Sequence, residues 1–557
     1  STQMVFVANG QLLDEEERDY PGRVEFTYEE DQDGGTALNT EEVRAGEIPI
    51  YENIAKRKYL ENLDSFKVAL EKLGELEAHD SGNPAHILNA YKIVKGTEVF
   101  AEDADRRSME KRLEAVWELK KIGLKKIRNP NEELVLKDFV DFHVHSFRSD
   151  GELSPAYVVY TAWKAGMKAI SVVDHNTFRH FEEAVRAGEI LGIQVIPGVE
   201  FDVSAKFESG NQLEYMHMPV YFPYGKGVLR RENEQKFLEW FETFKEHELY
   251  QEAEKRRLWN NIKMEILRQR FNHSVLAEGS LQISSFDMFC RFPDHPNWTQ
   301  LAGLLNEKYK NGLSVRGIDG VKKIYFNDNE YKAGDKNERL RGPADFWKKE
   351  IKTGDFTEDA LKDLGGEFPH VFGIDLGAFA ALVKAAGGIA VLAHPVEDRN
   401  YWVKVGKYKE DTAGEKVNKL TEVFKAIAGK YPEVKDILWG VEVYSSKHSP
   451  EEVKVFEGFA EQLRDMYGKS QFIMTIGSDA HYNNYETEKS LEMGSGKKNN
   501  LREINSAKAG IELNTMMDIS GERIMPLNKE PNMLSADEII NIAVTNENLY
   551  VKLLRAL

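Results

Sequence analysis

Nine side chains spread over six short segments have the types and spacing to bind metal ions. The segments read DFHVHSFRSDG, SVVDHN, VIPGVEF, YMHMPVYF, VLAHP and TIGSDAH. They contribute His143, His145, Asp150, His175, Glu200, His217, His394, Asp479 and His481. Neutral imidazoles mixed with carboxylates suit Zn, Mn or Fe. An HxH pair on a strand places both imidazoles on one face, because alternate residues share a side, and one ion can accept both. Taken alone, His143 and His145 could equally be strand histidines on a polar face. The other segments favour ligation: Asp150 sits beside Gly151 in a turn, His175 and Glu200 each come after an apolar run, His394 precedes a proline, and His481 lies two residues beyond Asp479.

The elements that must position these residues are legible as a change of texture beyond Pro130. Leu136 to Val144, Ala169 to Val173, Gln194 to Val203, Tyr215 to Phe222, Gly388 to Ala393, Gly440 to Tyr444 and Phe472 to Ile476 are predicted strands. Helical segments such as Pro155 to Ala165 and Phe181 to Leu191 alternate with them, which argues for an α/β fold with a largely parallel sheet or barrel. Every candidate ligand falls on or just after a strand, and in such barrels active sites gather at the C-terminal strand ends. Residues 225–375 interrupt the alternation and read as a mainly helical insertion, with Phe237, Leu238, Phe241, Phe244, Leu249, Leu258, Ile262 and Ile266 at helical spacing that core packing explains. Five regions result: an N-terminal arm and helical region (1–130), a first barrel part (131–224), the insertion (225–375), a second barrel part (376–510) and a C-terminal tail with a helix (511–557). Within the first, TYEEDQDGGTALNTEE reads as an acidic arm. From Ile48 to Ile127 apolar residues recur at helical spacing, with SGNP at Ser81 to Pro84 as a break.

Composition limits the partners. The 557 residues, 41% of them hydrophobic, can bury a substantial core. A formal charge of −19 disfavours broad capture of duplex nucleic acid or anionic membrane, while small phosphorylated substrates stay compatible. One cysteine, Cys290, excludes an intramolecular disulfide and a thiolate-rich metal site, and reads as a small buried hydrophobe. No window resembles a membrane span, and the first residues lack the basic start and apolar core of a signal peptide, so a cytoplasmic location is expected.

DFHVHSFRSDG, VVDHN, VIPGVEF, VLAHP, GVEVYSSKHS and IGSDAH resemble the signature segments of the PHP family, the polymerase and histidinol phosphatase superfamily of metal-dependent phosphoesterases. The resemblance covers about Leu136 to Leu491 apart from the insertion. It implies a distorted seven-stranded β/α barrel holding two to three divalent ions. By matched motif, the first ion would take His143, His145, Glu200 and Asp479, with Glu200 bridging to a second held by His217 and His394. The third would take Asp150, His175 and His481.

Phosphoester hydrolysis needs an attacking oxygen and neutralisation of charge on the phosphoryl and leaving oxygens. A metal cluster supplies all three, since Zn lowers the pKa of bound water to about 7 and yields a hydroxide nucleophile. Cationic residues near the motifs are candidates to grip phosphate: Arg148, Arg179, Arg399, and Lys447 with His448. Asp150, Asp479, His448, Arg148 and Arg399 are the expected catalytic set. Asp141, Asp174 and Glu442 adjoin the same strands and could orient ligand imidazoles or serve structure alone. The remaining histidines considered, His79, His86, His247, His273, His295 and His370, read as structural or surface residues. The expected function is hydrolysis of a nucleotide phosphomonoester or the 5′ end of a short oligonucleotide, as a phosphatase or exonuclease. A histidinol-phosphate-type phosphatase, a non-catalytic metal-binding scaffold and a nucleic-acid processing factor are the rival readings.

Overall fold

The structure, a computed structural model, describes residues 2–8, 11–12, 25–30, 40–56, 90, 93–94, 105–122, 137–151, 153–164, 167–206, 212–223, 231–274, 283–284, 288, 294, 313–316, 322–326, 373–395, 413–445, 448–481 and 516. At the N-terminus, β1 (Thr2–Ala8), β2 (Gln11–Leu12) and β3 (Glu25–Glu30) form a three-stranded antiparallel sheet. This corrects part of the expected acidic arm, because the β-branched and aromatic residues of TQMVFVA and EFTYEE favour extended chain. Helix Thr40–Lys56 comes next. Residues 105–122 are helical, with Met109, Leu113, Val116 and Leu119 buried along one face, as their spacing requires. Leu60 to Leu73 and the SGNP break lie outside the described residues.

Two sheets carry the chemistry. The first is parallel and holds β4 (Lys137–Val144), β5 (Met167–Val172) and β6 (Gln194–Val195), joined through helices Pro155–Lys164 and Phe181–Leu191. The second contains β7 (Gly198–Lys206) and β8 (Gln212–Tyr221). The insertion contributes a separate two-stranded pair, β9 (Leu313–Arg316) with β10 (Lys322–Phe326). The second sheet is completed by β11 (Ile374–Asp375), β12 (Ile389–Leu392), β13 (Leu438–Ser445) and β14 (Ile473–Gly477), in the order β11-β7-β8-β12-β13-β14. Here β8 runs antiparallel to both β7 and β12, so the sheet is mixed where alternation suggested parallel strands. A 207–211 connection too short for a helical crossover dictates this reversal.

The α/β fold is as expected, whereas the strands of the expected distorted seven-stranded barrel fall into two open sheets. Among the described residues the strand pairing between them is limited to isolated bridges, Val144 with Ala480 and His175 with Glu200. Physical causes stand at both seams. Pro197, which has no N–H to offer a ladder, separates β6 from β7 within the run that reads as one strand. Beyond β14, Asp479 takes a left-handed φ of 49° and ends the extended chain.

One apolar core spans both sheets and their helices. Helices Arg231–Phe244 and Glu248–Ser274 of the insertion enter it, with Phe244 5.2 Å from Phe178 and Phe241 5.4 Å from Phe181 between ring centroids. The aromatic stripe is thus core, each buried phenyl being worth about 1.5–3 kcal/mol. Met516 is buried in the same core. No helix among the described residues is long and apolar enough to cross a membrane.

Candidate metal centre

His143 lies on β4 and His145 just beyond its end, both fully buried. The chain after β14 runs alongside: Asp479 N–H donates to His143 C=O at 2.8 Å, and His145 N–H to Ala480 C=O at 3.0 Å. Glu200 arrives from β7 through the pairing with His175. Four donor atoms converge. His143 Nε2 and His145 Nε2 are 3.1 Å apart and lie 3.2 and 3.3 Å from Glu200 Oε2. Asp479 Oδ1 is 3.6 and 3.3 Å from the same two nitrogens. A tetrahedral Zn site with bonds of 2.0–2.2 Å has edges of about 3.4 Å. His143, His145 and Glu200 lie close enough together to share such an ion, with Asp479 beside the two imidazoles.

Glu200 turns its other oxygen to a second group. Its Oε1 lies 3.4 Å from His217 Nδ1 and 3.5 Å from His394 Nε2, which are 3.2 Å from each other. A third group surrounds Asp150. Its Oδ2 is 2.8 Å from His481 Nε2 and 3.8 Å from His175 Nε2, and its Oδ1 is 3.6 Å from His145 Nδ1. All nine sequence-predicted ligand residues are thereby brought together. The first group is the most buried, and Asp150, His175 and His481 on the third are 16–26% exposed.

The electrostatics of the bare centre follow from this crowding. Burial opposes charge on His143 and His145, yet facing carboxylates prevail. Glu200 and Glu442 raise His143 well above the ordinary imidazole range, and Asp150, Asp479 and Glu200 raise His145 to about 10. Burial likewise opposes charge on Glu200, and the imidazoles of His143, His217 and His175 still hold it well below the usual carboxylate range. The buried Glu200 Oε1 has no hydrogen-bond donor, and in a dry site such an oxygen calls for a cation.

Neighbouring residues hold this geometry. Glu442 on β13 places Oε2 2.6 Å from His143 Nδ1, leaving Nε2 directed at the first group. Asp141 Oδ1 accepts from the N–H of His143 at 3.2 Å and of Ser478 at 3.0 Å, joining β4 to the end of β14. Asp174 accepts from Ser146 N–H at 2.7 Å and Ser149 Oγ at 2.6 Å, ordering the loop that carries Asp150. Gly477 is required by close approach, since a Cβ there would lie 2.5 Å from that of His143 and 2.8 Å from the Glu442 carboxylate. His394 and Asp479 both have positive φ, 22° and 49°, a conformation non-glycine residues adopt chiefly where surrounding structure enforces it. Glu442→Gln, which keeps shape and removes the charge, should weaken Zn binding by about 10- to 100-fold. Chelator competition would measure this, and unchanged affinity would reduce Glu442 to a packing role.

The expected phosphate grip is partly corrected. Arg148 is buried, its guanidinium committed to Asp105 at 2.8 and 3.0 Å, to Asp294, and to Glu183 at 3.7 Å. Those carboxylates hold it inside the protein, where it cannot also grip substrate. Arg179 is engaged by Glu254 at 2.9 Å and Asp294 at 3.4 Å. His448 is buried against Phe456, with Nδ1 3.0 Å from Val443 C=O, so a substrate role would fall to Nε2. Arg399, Lys447, Cys290, His79, His86, His295 and His370 lie outside the described residues, as does the side chain of His273. His247 stacks on Phe244 at 5.3 Å, a structural contact.

Two residues escaped the sequence reading. Asp202 joins the centre through His217 Nε2 at 3.4 Å and His175 Nδ1 at 3.8 Å. Its signal was available, because on a strand it shares the face of Glu200 two residues earlier. His180 is buried, with Nε2 2.9 Å from the carbonyls of both Val172 and Gly198 and Nδ1 3.3 Å from Asp174 Oδ2, so it ties β5 to β7 behind the centre. It begins a helix, and no local spacing marks it.

Residues 141–311 match the sequence model of the PHP domain. A 5′-3′ exoribonuclease of Haemophilus influenzae is 39% identical over 64 residues, 12% of this chain and 23% of that protein. A phosphoribosyl 1,2-cyclic phosphate 1,2-diphosphodiesterase of Eggerthella lenta is 36% identical over 81 residues, 14% of this chain and 30% of that protein. The matched stretches span under a third of either relative. Among solved structures, one described as a metal-dependent phosphoesterase of Bifidobacterium adolescentis aligns over 62% of this chain and 89% of its own, at 18% identity and a TM-score of 0.33. An amidohydrolase of Chromobacterium violaceum aligns over the same shares at 20% identity and a TM-score of 0.33. Residues 141–311, which carry six of the nine candidate ligands, thus match the PHP domain.

Proposed function

We propose that this protein is a metal-dependent phosphoesterase that hydrolyses nucleotide phosphomonoesters or the 5′ ends of short oligonucleotides, acting in the cytoplasm. The observation that carries the reading is the position of Glu200, whose two oxygens face separate histidine groups at 3.2–3.5 Å. A carboxylate so placed can bridge two cations. His143, His145, Glu200 and Asp479 would hold one divalent ion, Glu200, His217 and His394 a second, and Asp150, His175 and His481 a third. When bound, such ions acidify water and neutralise charge on the phosphoryl and leaving oxygens.

The chain itself supplies placement. Glu442 and Asp141 fix the His143 ring and backbone, and Asp174 fixes the loop of Asp150, so the donors are organised before substrate arrives. The part-exposed third group marks the side on which the phosphate enters. A complete donor set favours catalysis over a scaffold with a degraded ligand set. The nucleotide substrate class is supported by the phosphoribosyl and ribonuclease chemistries named for the two relatives.

The test is a panel offered to the purified chain loaded with Zn2+, Mn2+ or Fe2+: nucleoside 5′-monophosphates, short 5′-phosphorylated oligonucleotides, a cyclic ribose phosphate and histidinol phosphate. Release of nucleotide or phosphate from the first two, lost on chelation, is the expected result. Turnover confined to histidinol phosphate would replace the nucleotide reading. Ions bound with no turnover of any substrate would make the domain a scaffold.

A further inference from the structure

Asp150 reaches the third group from the turn between β4 and helix Pro155–Lys164. Asp174 holds that turn on one side, through Ser146 N–H at 2.7 Å and Ser149 Oγ at 2.6 Å. A second hold is Arg148, two residues before Asp150 and buried. Asp105 accepts from Arg148 Nη1 and Nη2 at 2.8 and 3.0 Å, Asp294 accepts from Nη1, and Glu183 Oε2 lies 3.7 Å from Nη2. The Arg148 guanidinium lies 5.1 Å from the ring centre of Phe147, and that of Arg112 lies at the same distance. Arg112 is fixed in turn by Glu183, which accepts from its Nε at 2.8 Å and its Nη2 at 2.7 Å.

These partners come from three places: Asp105 from the helix at 105–122, Asp294 from the insertion and Glu183 from helix Phe181–Leu191. Asp294 also lies 3.4 Å from Arg179, four residues after His175. The segments that carry Asp150 and His175, two members of the third group, thus meet at one buried carboxylate of the insertion. The first group is anchored by other means. His143 and His145 are held by backbone hydrogen bonds to Asp479 and Ala480, and Glu200 by the β7–β8 ladder.

We propose that Arg148 is a positioning residue that sets the Asp150 turn against the helix at 105–122 and the insertion, so that regions outside the two sheets complete the third metal group. The proposal rests on the metal reading of the centre. A planar guanidinium paired through both Nη atoms to one carboxylate fixes orientation as well as distance. Ligand constellations must be held to within about half an ångström, so an anchor two residues from Asp150 governs the third ion before it affects the first. Lysine has a point charge and no fork, and asparagine at 105 has a single acceptor oxygen, so neither reproduces the grip.

The experiment measures Zn2+ stoichiometry and affinity in the full chain, by equilibrium dialysis with elemental analysis and by chelator competition, for the unsubstituted protein, Asp105→Asn, Arg148→Lys and Arg148→Met. His481→Ala, which removes a ligand of the third group alone, identifies that ion. Circular dichroism and thermal melting of the metal-free proteins check the fold. Affinity for the third ion should fall by about 10- to 100-fold in Asp105→Asn and Arg148→Met, with Arg148→Lys between them and the parent, while the first two ions bind as in the parent. Lowered melting with every affinity unchanged would overturn the proposal, because the network would then serve stability alone. Equal weakening of all ions would overturn it too. Asp105 is 20% exposed, and its isosteric change decides the outcome if the Arg148 variants do not fold. Fewer than three ions in the unsubstituted chain would instead sink the three-group reading on which the proposal rests, and shows in a different sample.

Discussion

Glu200→Gln should lower phosphoester turnover by about a thousandfold or more, equivalent to ~4 kcal/mol of barrier, and should cost the protein its first and second ions together. The expectation follows from geometry. Glu200 is fully buried, with Oε2 facing His143 and His145 and Oε1 facing His217 and His394. A glutamine of the same shape has one acceptor oxygen and no charge, so one group loses an oxygen ligand and both lose half a neutralising carboxylate. Replacing a ligand on one group alone, such as His394, should remove one ion and leave the first in place. Elemental analysis distinguishes these outcomes. Two ions retained in Glu200→Gln, with turnover within about tenfold of the parent, would mean that Glu200 does not bridge.

The second large effect is on stability. Asp294→Ala should destabilise the protein by about 3–5 kcal/mol, read as a lower denaturation midpoint in urea. Asp294 is buried between Arg148 and Arg179, and burial, which opposes its charge, is overcome by Arg148, Arg179 and Arg257 so that the carboxyl titrates below its usual range. The same network includes Asp105 and Arg112 from 105–122, Glu183 from helix Phe181–Leu191, and Glu254 with Arg257 from helix Glu248–Ser274. Glu254 is held at about 2, against the opposing effect of burial, by Arg257 and Arg179. Removing one carboxylate leaves guanidinium charge buried and uncompensated, which costs more than the pair was worth. Asp294→Leu combined with Arg148→Met should therefore be less damaging than Asp294→Ala. A shift below about 1 kcal/mol for the single change would show that water or other carboxylates compensate Arg148 fully.

This network also explains why Arg148 is not the phosphate grip that its sequence position suggests. It stands between His145 and Asp150, and an arginine beside metal ligands is chemically suited to that task. Asp105 and Asp294 lie far from it along the chain, and no local pattern announces that they will meet it. The insertion presents the same problem in another form. Helical spacing of Phe237, Phe241 and Phe244 identifies a buried face, but its destination among Phe178, Phe181 and Phe222 depends on packing between distant elements. The expected distorted barrel goes beyond the two open sheets for a related reason. Strand period can be read locally, whereas continuity of the ladder across Pro197 and Asp479 depends on hydrogen bonds between segments.

The sequence by itself determined the donor inventory and the strands that carry it. HxH and VEF on strands, DHN after one and SDAH at the end of another state residue type and face, because side-chain direction follows from the period of extended chain. Glu200 and Asp202 share a face for that reason, and His143 and His145 do too. The resemblance implied how these donors divide into groups and that Glu200 bridges two of them; the tertiary structure supplied the distances and alone decided that Glu442 and Asp202 face the other ring nitrogens of His143 and His217. Those relations are distances between strands whose order the local sequence does not encode. They are set by how the buried faces pack together, and the coordination chemistry depends on them to within a fraction of an ångström.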